Sequence, residues 1–190
     1  MSDQPAVGGI MNRTDFFLWL EQQPHGRYER VHGEVIEMSP ELIAHARVKA
    51  AIWLALRNAI MAAGLASSCE ALPDGVTVQV GDGSDYEPDV VVTAGERAPG
   101  TAIAVPNPVI VVEVLSRRTR RVDTTQKLLD YFTVPSIRHY LIVSADQQNA
   151  VHHRRLDDAS IATTMVSGGD IVLDPPGITV ALALFYEPTC

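Results

Sequence analysis

The sequence predicts an α/β fold whose core runs helix, three strands, helix, strand over about residues 41–143. Three observations predict it. Ile43, Val48, Ile52, Leu56 and Ile60 recur at helical spacing within Glu41–Ala63. Val109-Ile-Val-Val-Glu-Val-Leu115 is the most β-branched apolar run in the chain and reads as a central strand covered on both faces. A helical stretch, Asp123–Phe132, then separates it from a second buried strand, His139–Val143.

The elements follow in order. Residues 1–11 read as a leader. Thr14 is placed to cap a short amphipathic helix, Asp15–Glu21, which Pro24 and Gly26 end. Tyr28–Val31 and Glu34–Met38 flank His32-Gly33 and read as a β-hairpin. Ser39-Pro40 breaks that pattern, the long helix follows, and Gly64 stops it. Val76–Val80 alternates as a half-buried strand, and Asp89–Val92 reads as the next. Asp123 or Thr124 is placed to cap the second core helix. Beyond the core, Val151–Arg155 pairs with a later strand, Ile171–Leu173 is a weaker candidate, and Ile178–Leu184 reads as a last strand after the turn Pro175-Pro176-Gly177. No internal repeat or linker interrupts the chain, so one domain over 1–190 is expected.

Composition narrows the function. The 190 residues are 46% hydrophobic and 20% charged, ordinary globular proportions. Fifteen Lys+Arg against 23 Asp+Glu give a net charge of −8, which argues against a protein that simply coats nucleic acid. Two cysteines, Cys69 and Cys190, make neither a disulfide framework nor a zinc spacing. The start, Met1-Ser-Asp-Gln-Pro5, has no signal-peptide pattern, and no apolar run reaches the roughly 18 residues of a membrane span. A cytoplasmic protein is the expectation.

Two acids stand out by position. Asp89 opens a strand that continues Val-Val-Val, and Glu113 interrupts the most apolar run. A carboxylate in such a setting is costly to bury without a compensating partner, which is a metal ion, an arginine, or a proton with its own hydrogen bond. If the two strands are neighbours, both acids can converge on one hard cation such as Mg²⁺. Lys127, fourteen residues beyond Glu113 on the next helix, is placed to hold a water and offset charge at a scissile phosphate. Taken singly, each has an ordinary explanation. A strand-start Asp is usually a turn residue, a strand Glu is as often an ion pair, and a helix lysine is usually solvated.

The combination Pro88-Asp89, Glu113-Val-Leu-Ser116 and Lys127 four residues before Tyr131 resembles the PD-(D/E)XK nuclease superfamily, and within it the bacterial putative restriction endonuclease family, of the domain-of-unknown-function type. Tyr28-Glu-Arg-Val-His-Gly-Glu34, His45 and His139-Tyr-Leu-Ile-Val143 extend the resemblance over most of residues 27–143. It implies a restriction-endonuclease-like core, a Mg (or Mn) cofactor and hydrolysis of DNA phosphodiesters. Asp89, Glu113 and the backbone carbonyl of Val114 would be the metal ligands. The superfamily's lysine ordinarily stands two residues after the Glu, where this chain has Leu115, and Lys127 matches its displaced position.

Glu34, His45 and Gln126 are the candidate supporting groups around the metal. Arg117, Arg118, Arg120 and Arg121 form the densest basic cluster and are candidates for phosphate contacts. His152-His153-Arg154-Arg155 reads as exposed hairpin decoration. Cutting both strands favours a homodimer, with Phe16, Phe17, Trp19 and the C-terminal strands offered as its interface. Two other readings compete with the nuclease: a catalytically silent nucleic-acid-binding or assembly protein on the same fold, and a hydrolase of another substrate using the same carboxylates.

Overall fold

A computed structural model of the chain describes residues 8–115, 124–157 and 160–186. The arginine cluster 117–121 lies outside the described residues. Helix α1 (Arg13–Leu20) starts at Asn12, whose side chain accepts the Asp15 N–H at 2.9 Å. Asn12, not Thr14, is therefore the cap, because its short amide reaches the third backbone N–H after it. Strands β1 (Tyr28–Val31) and β2 (Glu34–Glu37) form the expected hairpin. Its two-residue turn holds His32 at φ 50° and Gly33 at φ 86°, the positive pair that the strand twist favours.

Helix α2 (Ile43–Ala62) is the long helix. Gly64, at φ 72°, closes it: its own N–H bonds the Met61 carbonyl and the Leu65 N–H bonds that of Ile60. Strand β3 (Cys69–Pro73) follows, then β4 (Val78–Val80) and β5 (Ser84–Tyr86), then β6 (Val90–Ala94) and β7 (Pro108–Leu115). Helix α3 (Thr124–Tyr131) leads into β8 (His139–Ser144), β9 (Ala150–Arg155) and β10 (Ile161–Val166). A hairpin of β11 (Asp170–Leu173) and β12 (Ile178–Ala181) runs into a 3-10 turn, Leu182–Phe185.

The main sheet has the order β10-β9-β8-β7-β6-β3, with only β7 and β8 parallel. The core order is thus as expected, but its first strand differs. Val76–Val80 belongs to a second sheet, β2-β1-β5-β4, and Cys69–Pro73 takes the edge of the main one. Alternation along β6 and β7 splits the core. Val90, Val92, Ile110, Val112 and Val114 face α2 and the C-terminal hairpin, whereas Val91 and Val111 face α3 and the second sheet through Tyr86, Tyr131 and Tyr140. The main sheet is the middle layer of three, covered on both faces as β7's apolar run demanded.

Two expectations are corrected here. Phe16 and Trp19 are buried against Tyr28 and Val35 of the hairpin, and Ile178 and Val180 are buried in the core, so these side chains serve the chain's own packing rather than an interface. His152 and His153 are buried as well, because β9 has neighbours on both sides. His139 Nδ1 and His152 Nε2 lie 2.9 Å apart and share a proton. Burial lowers both imidazoles to about 4, reinforced at His139 by His152 and Arg154 and at His152 by Arg154 and His153.

These two histidines are neutral at pH 7, while an unfolded imidazole titrates near about 6.5. Between those values the unfolded chain takes up protons that the folded chain refuses, so stability is full above about pH 6.5 and declines as pH falls toward about 4. Thermal unfolding across this window is expected to show a falling midpoint. His152→Gln, which keeps a hydrogen-bonding group that cannot titrate, is expected to give a shallower slope.

Candidate metal and phosphate site

Val90 pairs with Val112 in the antiparallel register of β6 and β7, so Asp89, one residue earlier, falls opposite Glu113. Both acids stand where the β6–β7 ladder ends. Asp89 completes that ladder with its side chain: Oδ2 accepts the Val114 N–H at 2.6 Å. From α2, His45 Nε2 lies 3.4 Å from the same oxygen, and Lys49 Nζ lies 2.9 Å from Oδ1. His45 and Lys49 are four residues apart, so the helix places both on the face turned to the sheet. Burial pushes the Asp89 carboxyl up, but the bonds from His45, Lys49 and Val114 outweigh it and hold the group below the usual Asp range.

Glu113 is compensated from the other face. Lys127 Nζ on α3 and the Tyr131 hydroxyl, one helical turn later, each donate to Oε1 at 2.9 Å. Lys127 also donates to Glu29 Oε1 at 2.9 Å and packs 4.9 Å from the Tyr86 ring centre. Among the described residues Glu113 Oε2 takes no hydrogen bond. Burial drives the Glu113 carboxyl upward, Lys127 pulls it down, and Asp89 and Glu29 raise it again, leaving it at about 7. Burial alone would discharge Lys127; its two carboxylates keep its pKa above the usual lysine value.

The structure thus brings Asp89, Glu113 and Lys127 into one network and places His45 beside it. Glu34 is exposed on β2. The hairpin acid that reaches Lys127 is Glu29, because alternation turns Tyr28 and Arg30 toward α1 and Glu29 and Val31 toward the main sheet. Gln126 donates to Asp130 at 2.7 Å, and Asp130 accepts the Tyr86 hydroxyl at 2.5 Å. Val114 meets Asp89 through its N–H. In an extended strand the carbonyl of the same residue opens to the same side, so it too faces the Asp89 edge.

Sequence reasoning missed Glu29, Lys49, Glu41 and Asp74. Lys49 Nζ reaches Asp74 at 2.7 Å and Glu41 at 2.5 Å, and Arg27 bridges Asp74, Glu41 and Glu87 at 2.8–3.3 Å. A cavity of about 250 Å³ opens here, lined by Glu41, Lys49, Trp53, Asp74 and Asp89. Counted over the described residues, this continuous network holds six carboxylates (Glu29, Glu41, Asp74, Glu87, Asp89, Glu113) and three permanent cations (Arg27, Lys49, Lys127). Negative charge is in excess, and hard oxygen donors predominate, a set suited to Mg²⁺ or Mn²⁺.

Comparison with known proteins places this geometry in context. Residues 14–184 match the family model Uma2, described as Putative restriction endonuclease. An uncharacterized protein of Synechocystis sp. is 31% identical over 87 residues, 45% of this chain. The match spans 49% of that protein, so the shared region is about half its length. The crystal structure of a putative nuclease belonging to DUF820, from Anabaena variabilis, superposes with a TM-score of 0.71 over 93% of this chain and 97% of that one, at 13% identity. The fold is shared where the sequences have diverged.

Removing Lys127 would leave Glu113 and Glu29 buried without their counter-ion. Lys127→Met is expected to cost roughly 3–5 kcal/mol in urea unfolding. Adding Glu113→Gln is expected to recover part of that loss, since the pair then buries one charge fewer.

Proposed function

The chain belongs to the Uma2 family, described as Putative restriction endonuclease, and from that premise we propose that it is a divalent-metal-dependent phosphodiesterase acting on DNA. One observation carries the reading: Asp89 and Glu113 stand opposite each other at the end of adjacent strands, in a network where carboxylates outnumber cations two to one. Among the described residues no further permanent cation joins the network to offset that surplus. Glu113 registers it by holding its proton up to about pH 7.

Glu113 Oε2, the remaining lone pair of Asp89 Oδ1 and the Val114 carbonyl would hold the ion. A bound divalent ion supplies Lewis acidity, polarising a phosphate oxygen and acidifying a coordinated water. The chain's own groups do the rest. Val114 N–H, His45 and Lys49 fix the Asp89 carboxylate in one orientation. Tyr131 and Lys127 turn Glu113 so that Oε1 is spent on them and Oε2 is left for the ion. Among the described residues Lys127 commits two of its three N–H donors, to Glu113 and Glu29, and the third would hold a water or a charged phosphate oxygen. No covalent intermediate is required. The acidic overall charge fits this division, since only the phosphate track needs to be basic; the arginines at 117, 118, 120 and 121 remain the candidates for that track.

Two outcomes test the proposal. Cleavage of a DNA duplex is expected to require Mg²⁺ or Mn²⁺ and to fall in Asp89→Asn and Glu113→Gln by more than roughly 100-fold, the upper end for residues that merely support a metal ligand. Mn²⁺ binding that persists without any cleavage would instead identify the silent member of the fold. Because Glu113 must lose its proton to ligate, Mn²⁺ affinity measured by calorimetry is expected to rise with pH up to about 7 and level off above it.

A further inference from the structure

Lys49 is a buried cation to which the proposed chemistry gives no task beyond fixing Asp89, yet its ammonium is shared among three carboxylates. Its side chain is nearly inaccessible, and its ammonium has three N–H donors for three carboxylates: Asp89 Oδ1 at 2.9 Å, Asp74 Oδ2 at 2.7 Å and Glu41 Oε1 at 2.5 Å. Two of those acids, Glu41 and Asp89, form with His45 a group whose donor atoms are close enough to hold a metal ion. The donor atoms of Glu41, His45 and Asp89 lie within 4.8 Å of one another, and the cavity beside them has room for a hydrated ion. Asp89 therefore has two sides. Toward β7 it faces Glu113; toward α2 it faces an ammonium standing among oxygen ligands.

We infer that Lys49 is a positioning residue that acts as a resident cation: it fills the α2 side of Asp89 and confines divalent metal to the Glu113 side, one ion per chain. The inference deepens the proposed function and rests on it for the Glu113-side ion only. Two-metal phosphodiesterases clamp the attacking and leaving oxygens between ions roughly 3.5–4 Å apart, so a shared carboxylate bridging two cations is an accessible arrangement for such chemistry. Here one of those two cations is covalently part of the chain. Its partners differ in exposure: Asp89 is buried, while the Glu41 and Asp74 side chains are 28% and 35% exposed. Arg27 already shares both of these outer acids, at 3.3 and 2.8 Å, so they keep a counter-ion when Lys49 is removed.

Mn²⁺ stoichiometry tests the inference directly, on the full chain by calorimetry and by paramagnetic resonance of free Mn²⁺. Lys49→Met is expected to bind one ion more than the wild type, and Glu41→Gln in that background to lose the extra ion. Lys49→Arg, which keeps the charge, is expected to bind the wild-type number. An unchanged or smaller count in Lys49→Met overturns the inference. Should Lys49→Met be unfolded without metal, Mn²⁺ must restore a cooperative melt by replacing the lost charge, and failure to do so overturns it equally. The wild-type count is a separate reading: zero ions there would sink the Glu113-side metal and the proposed function, while the increment in Lys49→Met would still decide the role of Lys49.

Discussion

The architecture is organised around one expensive act, the burial of the Glu113 carboxylate in the middle of the most apolar strand. An uncompensated charge at that depth is not tolerated, so partners must arrive from elsewhere in the chain. Tyr131 and Lys127 come from α3, which crosses back over the sheet between the parallel strands β7 and β8. Glu29 comes from the hairpin, ninety-eight residues away from Lys127 along the chain. The second sheet is thereby tied to the main one by a buried ion pair as well as by the apolar contacts of Tyr86, Val78 and Val80. Orientation of the layers and orientation of Glu113 are the same constraint.

Asp89 does a comparable job at the sheet's end. The β6–β7 ladder stops at Val90, which would leave the Val114 N–H without a strand partner. The Asp89 carboxylate takes that N–H and so replaces a backbone acceptor with a charged one, a stronger bond than the neutral kind. The two acids are then served by separate helices on opposite faces, Asp89 by Lys49 of α2 and Glu113 by Lys127 of α3. Each helix brings its lysine one turn from another polar partner, His45 in one case and Tyr131 in the other. Removing any of these groups therefore disturbs packing and site together, which is why isosteric amides, not alanines, are the informative replacements.

Asp89 and Glu113 could be read from the sequence because a charge inside a β-branched run violates the local pattern. Lys127 carried a weaker signal, its place on the helix that crosses back after Glu113, since helix lysines are ordinarily solvated; its match to a known motif added to that. Lys49 and Glu29 had neither kind of signal. Lys49 looks like the polar side of an amphipathic helix, and Glu29 like one residue of an alternating hairpin; their importance depends on what lies across the sheet, which a local pattern does not contain. The same limit explains the misplaced first core strand. Cys69-Glu-Ala-Leu-Pro73 has few β-branched residues and a proline, tolerable because it sits at the sheet edge, whereas Val76-Thr-Val-Gln-Val80 alternates well but pairs with β5. β5 itself, Ser-Asp-Tyr, is held by the buried Arg30–Asp85 pair and by Tyr86, a single core residue too few to show as a local apolar pattern. His152 and His153 looked exposed because two histidines beside two arginines read as a polar edge, and only β10, pairing on the far side of β9, puts them inside.

The charge balance has a consequence for how a polyanion meets this protein. The chain carries −8 overall, and among the described residues carboxylates outnumber permanent cations in the network around Asp89 and Glu113. A phosphodiester approaching that network without a metal adds like charge to like charge in a poorly solvated place, where screening by salt is weak. On the proposed function, then, the divalent ion has to be present before the phosphate can sit at the site, and the lysines alone are no substitute, since their N–H donors are largely committed to carboxylates. That ordering follows from the same feature that makes Glu113 hold its proton to about pH 7: among the described residues, Glu113 and Glu29 share the single ammonium of Lys127.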